Sequence, residues 1–500
     1  MPGATNPWKN SSKYMAKREE KHMRRFLAAI LCAALLCMAA SAETFAVSTG
    51  EGALLLTDAG EALTQWGEYA ALYRLSGADC PEERAMFMAA PVLSSLPEGA
   101  ETGEAALAYL LDARGKRLND EMYTTANHIP EAGVVIVWQG EWAGAIDETG
   151  AELLPCAYGG VIPDGEGGFL ATPRASFAYD ADGYPVSARL WHFGADGAAT
   201  DTGLDVQPYL YGAFSDGLAP VQVMTGALWR YGYINSRGEL AIEPAFDYAE
   251  EFRDGYAAAR TLDGRLGLLD ADGAWALEPV YDDIGYLWGQ GDAFYALRGG
   301  SVEILERETL APRAAHTFEY TDYIYAYEVD GALVIAVADG ALTAISMDGE
   351  ILFRGEVDSL SISSSFIART GAAQRLVCAT GVWPEQEYYL TDLRLRPVAG
   401  PYTSIESGLW WKDGEGRFLV CDYELYEETF DGESYTYPLA SSYVYGVIDQ
   451  DGNEVLPMAW NTIQYLSPQR YWVRRGETWS MIDETGNVYF EISQYVDLMD

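Results

Sequence analysis

The sequence predicts an all-β protein built from tandem units of about 35 residues, each a β-hairpin within a four-strand unit. Three observations carry that expectation. First, the pattern apolar–apolar–Asp/Asn–x–x–Gly recurs along the chain. It is seen at Leu110-Leu111-Asp112 with Gly115, Ala145-Ile146-Asp147 with Gly150 and Tyr233-Ile234-Asn235 with Gly238. It returns at Leu268-Leu269-Asp270 with Gly273, Val447-Ile448-Asp449 with Gly452 and Met481-Ile482-Asp483 with Gly486. Second, the Asp/Asn positions 112 and 147 are 35 residues apart, as are 235 and 270, and 449 and 483 are 34 apart. Third, an aromatic stands eleven residues after the Asp/Asn in five of these six copies: Tyr123, Tyr158, Phe246, Tyr281 and Trp460. A proline precedes it closely in four of them (Pro155, Pro244, Pro279, Pro457).

Each part of the unit has a local reason. Short alternating runs bounded by Asp/Asn and Gly are strand–turn–strand signals, with Gly taking the positive φ of a tight turn. After the aromatic, Ile284 and Ile463 restart an apolar alternation. Small-residue runs such as Tyr256-Ala-Ala-Ala-Arg260 and Ala293-Phe-Tyr-Ala-Leu297 read as the closing strand. One unit cannot bury both of its faces, so neighbours must stack on it. Clear and degenerate copies together give about ten and a half units at this repeat scale. The last copy, Trp479–Asp500, runs short of a strand, and Thr44–Thr49 reads as that missing strand. This favours a β-propeller-like closed array, with an open β-solenoid-like array or two smaller propellers split near 298–330 as alternatives. The division is 1–42 for an N-terminal extension and signal peptide, 43–297 for repeats, 298–442 for divergent repeats and 443–500 for C-terminal repeats.

The N-terminus reads as an export signal. The basic stretch Lys21–Arg25 precedes fifteen uncharged residues, Phe26–Ala40, and an Ala40-Ser41-Ala42 cleavage site. Translation from either Met1 or Met23 fits this reading. A stable span needs about 20 apolar residues, so the expectation is a secreted or cell-surface protein without stable membrane insertion after cleavage. Of the 32 basic and 75 acidic residues, seven and two lie in the first 42, leaving 25 and 73 beyond Ala42. So acidic a chain is repelled by nucleic acid and by anionic membranes. Yet 49% of the residues are apolar and 13% aromatic, which marks a folded chain rather than a disordered acidic one. Cys80, Cys156, Cys378 and Cys421 remain after cleavage. Their spacing leaves three disulfide pairings, or four buried thiols, equally open.

The chain resembles the WG-repeat proteins. Their unit reads Trp-Gly-aromatic-Ile-Asp-x-x-Gly, then an apolar-Pro stretch, an aromatic-Asp pair and a Gly-Leu-Ala-x-Val strand. The matching residues are Tyr231-Gly232-Tyr-Ile-Asn235-Ser-Arg-Gly238, Glu243-Pro244, Phe246-Asp247 and Gly255-Tyr-Ala-Ala-Ala259. Further copies have Leu266-Gly267 with Asp270, Tyr445-Gly446-Val-Ile-Asp449 and Trp479-Ser480-Met-Ile-Asp483. No unit has the Trp-Gly pair in register: Trp66-Gly67 and Trp288-Gly289 lie elsewhere, and Trp479 is followed by Ser. The resemblance implies a β-repeat array, often exported in bacteria, with no catalytic residues to carry over.

Chemistry offers little to set beside this. His128, His192 and His316 sit in no metal-binding or catalytic motif, and P-loop, nucleophile-elbow and dinucleotide patterns are missing. Gly165-Glu-Gly167-Gly168 and Gly414-Glu-Gly416 read as acidic surface turns. Asp180-Ala-Asp182, Asp270-Ala-Asp272 and Asp449-Gln-Asp451 each pair two acids near a Gly, which makes Asp270, Asp272, Asp449 and Asp451 weak calcium candidates. Calcium wants six to eight oxygens, and ordinary turn chemistry accounts for the pattern. The adjacent rings Trp410 and Trp411 are weak ligand-stacking candidates. The expected function is that of an exported, non-enzymatic, cofactor-free binding or scaffold module for an extracellular protein or glycan. The alternative is a glycan-binding protein or a carboxylate-pair glycan hydrolase.

Overall fold

The computed structural model describes residues 43–493, except 50–51, 78–79, 93–106, 211, 227, 287–292, 318–322, 328–332, 339–340, 347–348, 357–374, 382–383, 385, 393–395, 410–415, 431–432 and 468–469. The signal-peptide reading and Trp410 and Trp411 lie outside these residues. The described residues are all-β, and their strands pair antiparallel in nine sheets. A representative sheet holds Tyr248–Ala249, Tyr256–Arg260, Leu266–Asp270 and Trp275–Tyr281 in that order. The next holds Asp283–Tyr286, Ala293–Arg298, Ser301–Glu306 and Pro312–Thr317. An eleven-stranded sheet spans several successive units because one long strand, Glu152–Pro163, pairs with Trp142–Asp147 at one end and Phe169–Pro173 at the other.

Side chains that alternate along a strand face the two neighbouring units in turn. Ala257, Ala259 and Leu269 pack on Tyr233, Ile242 and Phe246 of the preceding unit. Ala258 and Leu268 pack on Ile284, Phe294 and Ala296 of the following one. The small-residue run is thus a two-faced core strand, and alanines keep both neighbours close.

The repeated proline and aromatic mark a bulge. Tyr231 and Tyr233 pair with Phe246 and Ile242, so one residue on the first strand, Gly232, faces three on the second. The same offset joins Ala143 and Ala145 to Tyr158 and Leu154, Leu266 and Leu268 to Tyr281 and Leu277, and Tyr445 and Val447 to Trp460 and Leu456. A proline sits inside each bulge, where it leaves no ladder amide unpaired. The bulged strand leans onto the glycine: a Cβ on Gly232 would lie 2.6 Å from the Ile242 carbonyl oxygen, and one on Gly267 2.6 Å from that of Leu277. Where the glycine is replaced, by Glu303 or Ser480, the pairing runs straight through: Glu303 opposite Ala315, Ser480 opposite Glu491.

The first and last units pack together. Phe45, Val47, Leu54 and Leu56 lie against Trp472, Trp479 and Met481. Two interactions seen between successive units recur at this seam. Side chains at the start of the second strand of a unit reach the Asp turn of the next: Thr44 Oγ1 donates to Ala113 O at 3.3 Å, Arg375 Nε to Gln450 O at 2.5 Å, and Arg417 Nε to Glu484 at 3.0 Å. At the seam Arg470 Nε donates to Asp58 O at 3.0 Å. The turn glycine also lies on the segment that follows the Asp turn of the preceding unit, Gly150 on Leu118 and Gly452 on Val398, and at the seam Gly60 lies on Tyr489.

One expectation is corrected. Thr44–Ser48 does not complete the last unit; it pairs with Ala53–Thr57. The last sheet has four strands of its own, Thr462–Ser467, Arg470–Arg475, Thr478–Ile482 and Val488–Ser493. Four sheets begin at the strand just after a motif aromatic (Tyr123, Phe246, Tyr281 or Trp460), so each of these combines the end of one sequence unit with the start of the next. Among the described residues the seam is formed by face packing, with no strand exchanged.

Candidate functional site

The turn carboxylates are the most repeated polar groups, and their chemistry is local. In each turn the Asp or Asn Oδ1 accepts two backbone amides, two and four residues on: Asp147 from Thr149 and Ala151, Asn235 from Arg237 and Glu239, Asp483 from Thr485 and Asn487. The glycine then takes positive φ, +91° at Gly150 and +83° at Gly486. The Thr149 hydroxyl and the turn amides hold the Asp147 carboxyl below its ordinary range. Burial pushes Asp483 up, but the Thr485, Asn487 and Tyr489 side chains and the turn amides outweigh it and hold the carboxyl well down.

The calcium candidates share this arrangement. Asp270 Oδ1 accepts from Asp272 N at 3.0 Å and Ala274 N at 2.9 Å. Asp449 Oδ1 accepts from Asp451 N and Asn453 N, its Oδ2 accepts from Asn453 Nδ2 at 2.9 Å, and Asp451 pairs with Arg375 at 3.0 Å. Asp272 is exposed on the turn. Among the described residues no three His, Cys, Asp or Glu side chains are placed to hold a metal ion together.

A cluster between the first units brings together residues that the sequence separates widely. His128, whose ring is fully buried, contacts Ser76 Oγ through Nδ1 at 2.7 Å and Glu148 Oε1 through Nε2 at 2.9 Å. Ser76 Oγ also accepts the Met86 amide at 2.8 Å, and the Glu148 carboxylate accepts Nε2–H of His128. Arg84 closes the network, with Nε 3.1 Å from both Glu148 oxygens and its terminal nitrogen on Glu148 and on Pro130 O at 2.6 Å. Burial raises the Glu148 carboxyl, but Arg84 and His128 outweigh it and hold it low. A Ser–His–Glu row invites a nucleophile reading, yet Ser76 is only 5% exposed. Its role is to join units. His192 is likewise engaged, with Nε2 2.9 Å from the buried Asp164, whose other oxygen accepts the Glu166 and Gly168 amides of the Gly-rich turn.

The motif aromatics Tyr123, Tyr158, Phe246 and Tyr281 are buried in the cores between units, and Trp460 lines another. Cys80, Cys156, Cys378 and Cys421 form no disulfide, and burial pushes the Cys156 thiol up to about 11. Exposed tyrosines gather instead on a hairpin that leaves a unit between its second and third strands. Tyr426, Tyr435 and Tyr437 are each 40–42% exposed there.

Comparison with known proteins places the repeat. The family model described as WG containing repeat matches residues 231–264 and 445–479. These two stretches are similar to WG repeats. No curated protein matches the chain. Among solved structures, a eukaryotic initiation factor is 12% identical, with 77% of this chain and 93% of that chain covered and a TM-score of 0.40. BamB from Moraxella catarrhalis is 13% identical, with 58% and 85% covered and a TM-score of 0.27. The computationally designed Ika8 protein is 11% identical, with 62% and 92% covered and a TM-score of 0.28.

The structure gives the WG repeat's glycine a physical reason. Gly232 and Gly446, both inside the matched stretches, face the proline bulge, whereas Ser480, just beyond the second, faces a straight strand. The residue before the glycine pairs with the motif aromatic: Tyr231 with Phe246, Tyr445 with Trp460. That position accepts Tyr, Leu or Ala in place of the family's Trp. What the sequence could not signal is the Ser76–Arg84–His128–Glu148 cluster, whose members belong to no shared motif.

Proposed function

We propose that this chain is an exported, non-enzymatic binding or scaffold module for an extracellular or cell-surface partner, its WG repeats closed into a propeller-like ring. The observation that carries the ring is the seam. Arg470 on Asp58 and Gly60 on Tyr489 repeat the contacts that join successive units, so the first unit follows the last as any unit follows its predecessor. The non-enzymatic part is supported by where reactive groups are spent: His128 with Ser76 and Glu148, and His192 with Asp164, hold the fold from inside. The surface left over is dominated by carboxylates, with 73 acids against 25 bases beyond Ala42, which suits capture of a cationic partner by long-range steering. Export rests on the Lys21–Ala42 sequence. Among the described residues no helix is long and apolar enough to cross a membrane.

The test is an array of cell-surface proteins, glycans and wall polymers probed with residues 43–500, with turnover measured on the same polysaccharides. Saturable binding without product is expected. Product release that a carboxylate substitution abolishes would overturn the reading.

A further inference from the structure

The geometry points to the tyrosine hairpin as the docking site of an extended, lysine- or arginine-bearing peptide segment of the partner; this rests on the binding-module reading above. The hairpin joins Leu425–Phe430 to Glu433–Pro438 in a two-stranded sheet of its own, inserted between Arg417–Asp422 and Val444–Asp449. In another unit the same connection, between Val134–Gln139 and Trp142–Asp147, is a two-residue turn. The fold therefore does not need the arm.

Its two faces follow from the register. Tyr426 pairs with Tyr437 and Glu428 with Tyr435, so these four residues share one face. The Tyr426 and Tyr437 rings lie 5.7 Å apart, and the Tyr435 and Tyr437 rings are stacked at 6.3 Å. At the base, Tyr423 and Tyr443 lie 4.8 Å apart, and Tyr443 stacks on Tyr445 at 6.0 Å. Leu425 and Leu439 are also exposed, 40% and 37%. A row of open rings on a free-standing arm is unusual for a surface with no partner.

Charge selects the occupant. From Phe418 to Gln469 there is no Lys, Arg or His, while Asp422, Glu424, Glu427 and Glu428 all fall in or beside the arm. A cation over the tyrosine faces gains from the ring quadrupoles and from Glu428 in the same row. The backbone selects the shape. Each strand of a two-stranded sheet is an edge, and such a ribbon alone is marginal until a third strand pairs with it. An extended peptide that adds a strand satisfies the edge and places alternate side chains on the tyrosine face.

The probe is a fluorescent peptide alternating lysine and threonine, titrated into residues 43–500. Binding is expected to weaken with salt and to be lost when alternate peptide amides are N-methylated. Replacing the rings together (Tyr426→Ala, Tyr435→Ala, Tyr437→Ala) should weaken it about tenfold, as two or three exposed cation–π contacts would. Should that variant melt the arm, Glu427→Gln with Glu428→Gln leaves the rings in place and should weaken binding and flatten its salt dependence. Equal binding by both variants, no binding of the peptide, or ring-dependent binding of a chito- or cello-oligosaccharide in its place would overturn the proposal. A partner found on the array that ignores both variants would remove the hairpin site and leave the binding-module reading standing. Polysaccharide turnover with ring-dependent peptide binding would do the reverse.

Discussion

Replacing Gly232 with Ala tests why the WG repeat keeps its glycine. The new methyl carbon would lie 2.6 Å from the Ile242 carbonyl oxygen and 3.0 Å from both Pro244 N and Cα. All three atoms are backbone, so no side chain can swing away; the bulged strand must retreat. Forcing one extra carbon into a packed site costs about 1–3 kcal/mol. Alanine recovers about 0.4–1 kcal/mol by restricting the unfolded chain, leaving a net loss of about 1–2 kcal/mol. If some 450 residues unfolded together, about 2.1 cal/mol/K per residue makes this a shift of only ~1–2 °C in Tm. Repeat arrays also open locally, so hydrogen exchange at residues 228–246 is the sharper assay. Amides of that hairpin should exchange about tenfold faster in Gly232→Ala, with distant units unchanged. Ser480→Ala, at the equivalent position opposite a straight strand, should leave its own hairpin nearly as protected as before. Equal effects of the two substitutions would refute the bulge explanation.

Three further outcomes follow from the same geometry. Because Arg84 and His128 hold Glu148 below its ordinary range, its contribution to stability is full above the unfolded carboxylate value and fades as pH falls through the lowered one. The melting difference between the parent chain and Glu148→Gln should therefore be largest above about pH 5 and shrink toward zero on acidification. The thiols of Cys80, Cys156, Cys378 and Cys421 should react slowly with a disulfide reagent at pH 8 in the folded chain, and all four promptly in guanidinium. Calorimetric titration of calcium into residues 43–500 should be flat, with Tm unchanged, because the Oδ1 atoms of Asp270 and Asp449 already serve turn amides.

Much of the fold was legible because its signals are local. Asp483 and Gly486 announce a turn through hydrogen bonds from backbone amides to the Asp483 carboxylate that span only five residues, and in other units the aromatic at +11 marks a core position fixed by the same hairpin. What the sequence hides is pairing between distant strands. Alternation in Thr44–Thr49 marks a strand but not its neighbour, so the sequence points to the last unit while the hydrogen bonds go to Ala53–Thr57. The chemical clusters were hidden for a related reason. Glu148 reads as filler inside a turn, and only packing brings it to Arg84, 64 residues earlier, and to His128. The arm at 425–438 falls in the stretch read as divergent repeats; the repeat pattern weakens there because a second hairpin interrupts a unit.

The ring is the claim on which the rest of the account stands, and one distance tests it most directly. Ala59 and Val488 are exposed, and they flank Gly60 and Tyr489 at the seam. Cysteines placed at these two positions and labelled with a donor–acceptor dye pair should show near-complete energy transfer in the folded chain, lost on unfolding. Transfer near zero in the folded protein would mean that the array is open and that the seam between the first and last units does not form.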